Sequence, residues 1–232
     1  VLAANSGAGL FVANTGALEV NTVAPVGVAR GGADLSALVD SDAAPTSDVV
    51  SSGDLVLDAS GDLTLEDGVL ADGVSVQANG GNARVSSGAG LTANADVSAS
   101  GHLSAVAVGA VAQNADFSAS GAASTLDVQA GGAITITDGV SGTTGGGNLR
   151  YDAQGGDLTF ATLTAGAPGN LSLRASGSIL GTANGLLTGN GVRLEAGNGV
   201  GSQVLFSANQ VKLEAATLAA LAGAGGISVS DL

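Results

Sequence analysis

Four aspartates stand where acid/base chemistry would be sought first. In the stretch Gly53-Asp-Leu-Val-Leu-Asp-Ala59, alternation places Asp54 and Asp58 on one side, and Asp62 and Asp72 follow within reach of the same coil. Converging carboxylates can hydrolyse or eliminate across a glycosidic bond, but such sites also need a platform on which a sugar ring can lie. One Tyr (Tyr151), four Phe and no Trp leave little to form one, and the chain is expected not to be an enzyme. His102 is the single histidine, and the chain has no cysteine, so an ordinary zinc site has too few ligands. Asp40-Ser-Asp42 with Asp48 offers hard oxygen ligands for calcium, yet it lacks the spaced acids and glycine of an EF-hand loop. Thr143-Thr-Gly-Gly-Gly147 has no following lysine to make a phosphate cradle. Thr135-Ile-Thr137 and Thr162-Leu-Thr164 are similar to the threonine rows of ice-binding solenoids, but they are not expected to recur coil after coil on one face. No catalytic, cofactor-binding or metal-ligating residue is therefore assigned, and no cofactor is expected.

The elements that carry these residues announce themselves by repetition. An apolar residue, any residue, Ala, any residue and Gly recur as Leu57 to Gly61, Val76 to Gly80, Val97 to Gly101, Phe117 to Gly121, Val128 to Gly132, Tyr151 to Gly155 and Leu173 to Gly177. Looser relatives contain Ala196 and Ala215. From alanine to alanine the steps lie near 20 residues, apart from one of 11, which is the interval of a stacked repeat. Leu55, Leu57 and Ala59 fall on one face of a strand, and the glycine that follows suggests a corner with positive φ. A second phrase, Gly-Asp or Gly-Asn before Leu, stands at Gly53, Gly61, Gly147, Gly156 and Gly169 and also reads as a corner. A unit this short cannot bury its own apolar face, so coils must stack. The expectation is an all-β parallel β-helix of roughly 20 residues per coil and roughly ten coils, about 50 Å long.

Composition agrees. Aliphatic residues dominate the 45% apolar content, aromatics are 2% and Gly is 39, which suits a thin stack of coils better than a globule. The net charge of -14 argues against nucleic acid and anionic membrane surfaces. No apolar run is long enough to span a bilayer, so no membrane insertion is expected. Ten acids lie between Arg30 and Arg84 with no basic residue among them, and they read as a solvated acidic face.

Along the chain, residues 1 to 232 form a single β-helix segment interrupted at 24 to 52 by a non-repetitive insertion with Pro25 and Pro45. Within it, Ala33 to Val39 is expected to form a helical turn, and 137 to 148 a loop. Leu2-Ala-Ala-Asn-Ser-Gly7-Ala-Gly9-Leu10 resembles Leu218-Ala-Ala-Leu-Ala-Gly223-Ala-Gly225-Gly-Ile227, an offset of 216 residues. That likeness suggests one period of a longer tandem array.

Ala13-Asn-Thr-Gly-Ala-Leu-Glu-Val-Asn-Thr-Val23, Gly61-Asp-Leu-Thr-Leu65 and Gly191-Val-Arg-Leu-Glu-Ala-Gly-Asn-Gly-Val-Gly201 resemble the filamentous-haemagglutinin-like large exoproteins and adhesins of Gram-negative bacteria. The likeness covers most of the chain except 24 to 52. It implies a right-handed parallel β-helix, export by two-partner secretion, and a cell-surface stalk or adhesin that meets a host or neighbouring-cell surface, glycan or matrix. A filament subunit that self-associates end to end through its terminal coils is the alternative, and a β-helical polysaccharide lyase or hydrolase the second alternative.

Overall fold

In a computed structural model, which describes residues 1–31, 37–41, 44–201 and 210–232, inward-facing aliphatic side chains organise everything else. Leu55, Leu57 and Ala59 are buried while Asp58 between them is exposed, and the same alternation returns in Leu103–Ala107, Leu126–Ala130 and Leu171–Ala175. These strands do not pair with their neighbours in sequence. Each pairs in parallel with the strand one turn later, so Leu55 lies over Leu10 and under Ala83, and the column continues through Leu103, Leu126, Leu149, Leu171 and Val192 to Leu218. Seven successive turns from Leu55 to Leu218 average about 23 residues. The chain is a parallel β-solenoid with no helix among the described residues.

Three walls make up the coil. The first wall begins at Ala4–Ser6, the second at Leu10–Asn14 and the third at Leu18–Val20. Farther along, Leu158–Ala165, Ile179–Ala196 and Val211–Ala222 bend through corners and serve two or three walls each. The first wall ends with Val229–Asp231, paired to the start of Val211–Ala222. The interior is a thin column of Leu, Val, Ile and Ala; among the described residues only Phe117, Tyr151 and Phe160 bring rings into it. Its burial supplies most of the stability, because no coil has an apolar face of its own that survives alone.

The pitch corrects the spacing of about 20 read from the alanines. Ala59, Ala130, Ala153, Ala175 and Ala196 end second-wall strands, whereas Ala78, Ala99 and Ala119 end first-wall strands. The step of 11 from Ala119 to Ala130 is thus a passage between walls of one coil. Two steps of 19, Ala59 to Ala78 and Ala196 to Ala215, likewise change wall and shorten the apparent repeat.

The glycines also differ from expectation. None of Gly61, Gly80, Gly101, Gly121, Gly132, Gly155 and Gly177 has positive φ. They are needed for close approach instead: a Cβ on Gly61 would stand 2.6 Å from the Ala17 amide nitrogen, and one on Gly101 2.5 Å from Asn82 Oδ1. Coils about 4.8 Å apart leave no room for it at the corners.

Between the third wall of the first coil and the first wall of the second, an antiparallel pair, Gly27–Gly31 with Ala37–Ser41, leaves the stack above an antiparallel bridge from Val23 to Thr46. Ala37 to Val39 is strand rather than helical turn, and Ala33 to Ser36 lie outside the described residues. Val49–Ser51 belongs to the first wall, paired with Ala4–Ser6 and Val74–Ala78; three residues are too few to show alternation in the sequence. Of the expected loop at 137 to 148, Ser141–Thr144 is a first-wall strand. Gly7 to Gly9 turns the corner between first and second walls, and Gly223 to Gly225 that between second and third, so the two similar phrases occupy different corners.

Candidate functional site

Several of the polar residues singled out by the sequence, Asp54, Asp62 and His102 among them, are placed at corners, where they bind one coil to the next. Immediately before the second wall, Asp54, Asn82, His102, Thr125, Asn148 and Asn170 stack in one column, each preceding a residue of the Leu55 series. Asp54 Oδ1 accepts bonds from the Asn82 amide nitrogen at 2.8 Å and from Asn82 Nδ2 at 3.1 Å. Asn82 Oδ1 accepts the His102 amide at 2.9 Å, and His102 Nδ1 lies 2.9 Å from Thr125 Oγ1. Asn148 Oδ1 takes the Asn170 amide at 2.9 Å. Before the third wall Asp62 Oδ1 accepts the Gly90 amide at 2.8 Å, and before the first wall Asp96 accepts from Asp116, which accepts from Ser141. A carboxylate or amide oxygen satisfies a backbone donor that the turn leaves without a ladder partner.

This arrangement separates the acids. Asp54 and Asp62 sit at opposite ends of the same second-wall strand, Asp58 accepts the Ser86 hydroxyl between them, and Asp72 accepts the Val74 amide in its own loop at 3.1 Å. Among the described residues no three His, Asp or Glu side chains are grouped so as to hold a metal ion. Asp42 lies outside the described residues, as does the side chain of Asp40, while Asp48 is 2% exposed with Oδ1 facing the Gly68 amide. Burial raises its pKa, opposed by the Gly68 bond and reinforced by Asp72 and Asp67. Asp96 is raised likewise, chiefly by burial and also by the charges of Asp116 and Asp67.

Thr135-Ile-Thr137 and Thr162-Leu-Thr164 fall on different walls and do not recur as pairs, but single outward hydroxyls do form two columns. On the third wall Thr64, Thr92, Thr135 and Thr159 share one column with Ala112. On the first wall Ser98, Ser118, Thr143, Thr164 and Thr188 share another. Their recurrence is invisible until the pitch is right.

The outer face of the second wall gathers Arg84, Arg150, Arg174 and Arg193 in two adjacent columns. Arg150 makes a two-point contact with Asp127, at 2.7 and 2.9 Å; Arg174 pairs with Asp152 at 3.4 Å, and Arg193 with Glu195. Arg84 has no such partner among the described residues. In its column stands Phe11, 71% exposed, whereas Tyr151, Phe117 and Phe160 are buried. A groove of about 310 Å³ runs beside Phe11 along Asp54, Arg84, His102 and Ser104. The sequence reading missed this pairing of an aromatic with a free guanidinium; alternation in Leu10-Phe-Val12 places Phe11 outside, but only the register puts Arg84 two coils above it.

Comparison with protein-family models, curated proteins and solved structures gave no match.

Proposed function

We propose that this chain is a non-enzymatic rod segment of a secreted surface exoprotein of the filamentous-haemagglutinin-like kind, serving as a stalk, spacer or adhesin shaft outside a Gram-negative cell. One observation supports the reading above others: Asp54, Asp58 and Asp62, the carboxylates best suited to chemistry, are held apart along a parallel stack and each accepts a bond from the next coil. Nine steps of about 4.8 Å along the first wall give a length on the order of 45 Å per segment. Such a rod holds a binding surface at a distance from the membrane that anchors it, and its flanks offer repeated columns to a glycan, matrix or neighbouring-cell surface. Export by two-partner secretion rests on the sequence resemblance alone.

Beads coated with the purified chain are expected to adhere to cultured epithelial cells above albumin-coated beads; equal counts overturn the adhesive part. A filament built by end-to-end stacking through terminal coils is the second reading. Mass photometry at micromolar concentration separates the two, because a monomer rules out self-polymerisation. A polysaccharide lyase or hydrolase would lose turnover when Asp54, Asp58 and Asp62 are all replaced by alanine; no turnover is expected before or after.

A further inference from the structure

Of the aromatic side chains whose surroundings are described, Phe11 alone lies open to solvent, and its ring folds over the corner at Gly9, where a Cβ would stand 3.0 Å from Phe11 Cε2. The ring thereby lies against the Gly9 backbone and presents its other face to solvent. Outward from it the column proceeds through Val56, Arg84 and Ser104, one residue per coil. At about 4.8 Å per coil, the Arg84 backbone stands roughly 10 Å along the axis from that of Phe11, a gap that the long arginine side chain and one sugar ring together bridge over Val56.

Three polar groups along the groove have no partner among the described residues: the Arg84 guanidinium, the Ser104 hydroxyl and His102 Nε2, since the His102 bonds run through Nδ1 and the backbone. Asn82 is fully used by its neighbours, and Asp54 Oδ1 is held by Asn82. An apolar ring beside a few unspent hydrogen-bonding groups is the usual make-up of a small-ligand site. Arg84 is also the exception in a face whose other three arginines pair with acids: among the described residues no acid is bonded to it, and the groove's one carboxylate, Asp54, lies toward Phe11.

We propose that this groove is a glycan subsite for a pyranoside bearing a carboxylate, stacked on Phe11 and held through its carboxylate by Arg84. The proposal rests on the adhesive reading and supplies its ligand class. A guanidinium meets a carboxylate with two parallel bonds, which fixes the ring's orientation. Asp54 occupies the Phe11 end, where it accepts from sugar hydroxyls and repels an anion, so the carboxylate is directed to Arg84. Ser104 and His102 Nε2 bond the remaining hydroxyls at the far end. Neutral sugars retain the stacking and lose the charge contact.

Ligand-observed NMR with tri-galacturonate, sialyllactose and neutral galactotriose tests this, each at up to about 10 mM, a range suited to single-site glycan affinities. Saturable binding of one or both acidic sugars is expected, with the neutral sugar about tenfold weaker. Phe11→Ala is expected to lower affinity for all three at least tenfold, and Arg84→Gln to abolish the preference for the acidic sugars while leaving the neutral one unchanged. Both side chains point outward, and unchanged circular dichroism verifies the fold. No saturable binding of either acidic sugar, or affinities unaffected by both substitutions, overturns the subsite. Coated beads distinguish it from the broader reading: adhesion that persists in the double variant leaves the adhesin standing and removes the subsite. Acidic-sugar binding without cell adhesion keeps the subsite and removes the adhesin.

Discussion

Asp48 has its backbone at φ 65° and its carboxylate 2% exposed, with a single long bond of 3.4 Å from the Gly68 amide. Burial, then Asp72 and Asp67, outweigh that bond and raise its pKa above 3.8 in the folded state. The native chain therefore binds the proton more tightly than the unfolded chain, and stability falls as pH rises from near 3.8 through the folded value. Asp48→Asn keeps an acceptor and tolerates the left-handed backbone. It is expected to raise Tm at pH 7, with little change at pH 3, in thermal scans at both values. Tyr151 is a second buried polar group, and its hydroxyl donates to Gln113 Oε1 at 2.8 Å inside the core, while Gln113 Nε2 donates to the Ser141 carbonyl at 2.9 Å. Gly142 makes space for it: a Cβ there would stand 2.5 Å from the Tyr151 hydroxyl. Tyr151→Phe strands the Gln113 oxygen and is expected to cost about 1–3 kcal/mol in urea unfolding, and adding Gln113→Leu should recover most of it. Alternation from Val111 turns Gln113 inward, but nothing in the sequence pairs it with Tyr151, 38 positions later.

Strands of three to five residues, too short to stand alone, take their stability from the ladders on both flanks. Leu126–Ala130 is bonded on one side to Leu103–Ala107 and on the other to Leu149–Ala153. Val128→Pro removes a ladder donor and forces its ring against the adjoining coil, and is expected to cost 3 kcal/mol or more, read as a loss of cooperative unfolding. Corners obey a different rule. Asn82 receives and returns bonds across two coils, and Asn82→Ala is expected to cost about 1–2 kcal/mol by chemical denaturation while leaving the strands intact. Alternation showed the strands plainly, from Leu55-Val-Leu57 onward. The wall to which each belonged was hidden, because the phrase ending at Ala119 and the phrase ending at Ala130 look alike and turn different corners.

The whole molecule is a stack whose charge is strongly one-sided. At net charge -14, acids on successive coils repel across distances comparable to the coil spacing. Raising salt from about 10 mM to about 1 M shortens the screening length from roughly 30 Å to 3 Å and is expected to raise the unfolding midpoint by several degrees in a thermal melt. The sequence by itself determined the class of architecture: period-two alternation with small aliphatic insides, repeated at a near-constant interval, admits stacked strands and little else. It also placed the glycines at corners. Tertiary structure alone decided the pitch, the wall of each strand and hence which side chains share a column, because parallel pairing joins residues about 23 apart through hydrogen bonds between backbones that carry no residue identity. Phe11 and Arg84, 73 positions apart in the chain, come to stand in one column, with Val56 between them, only when that register is fixed.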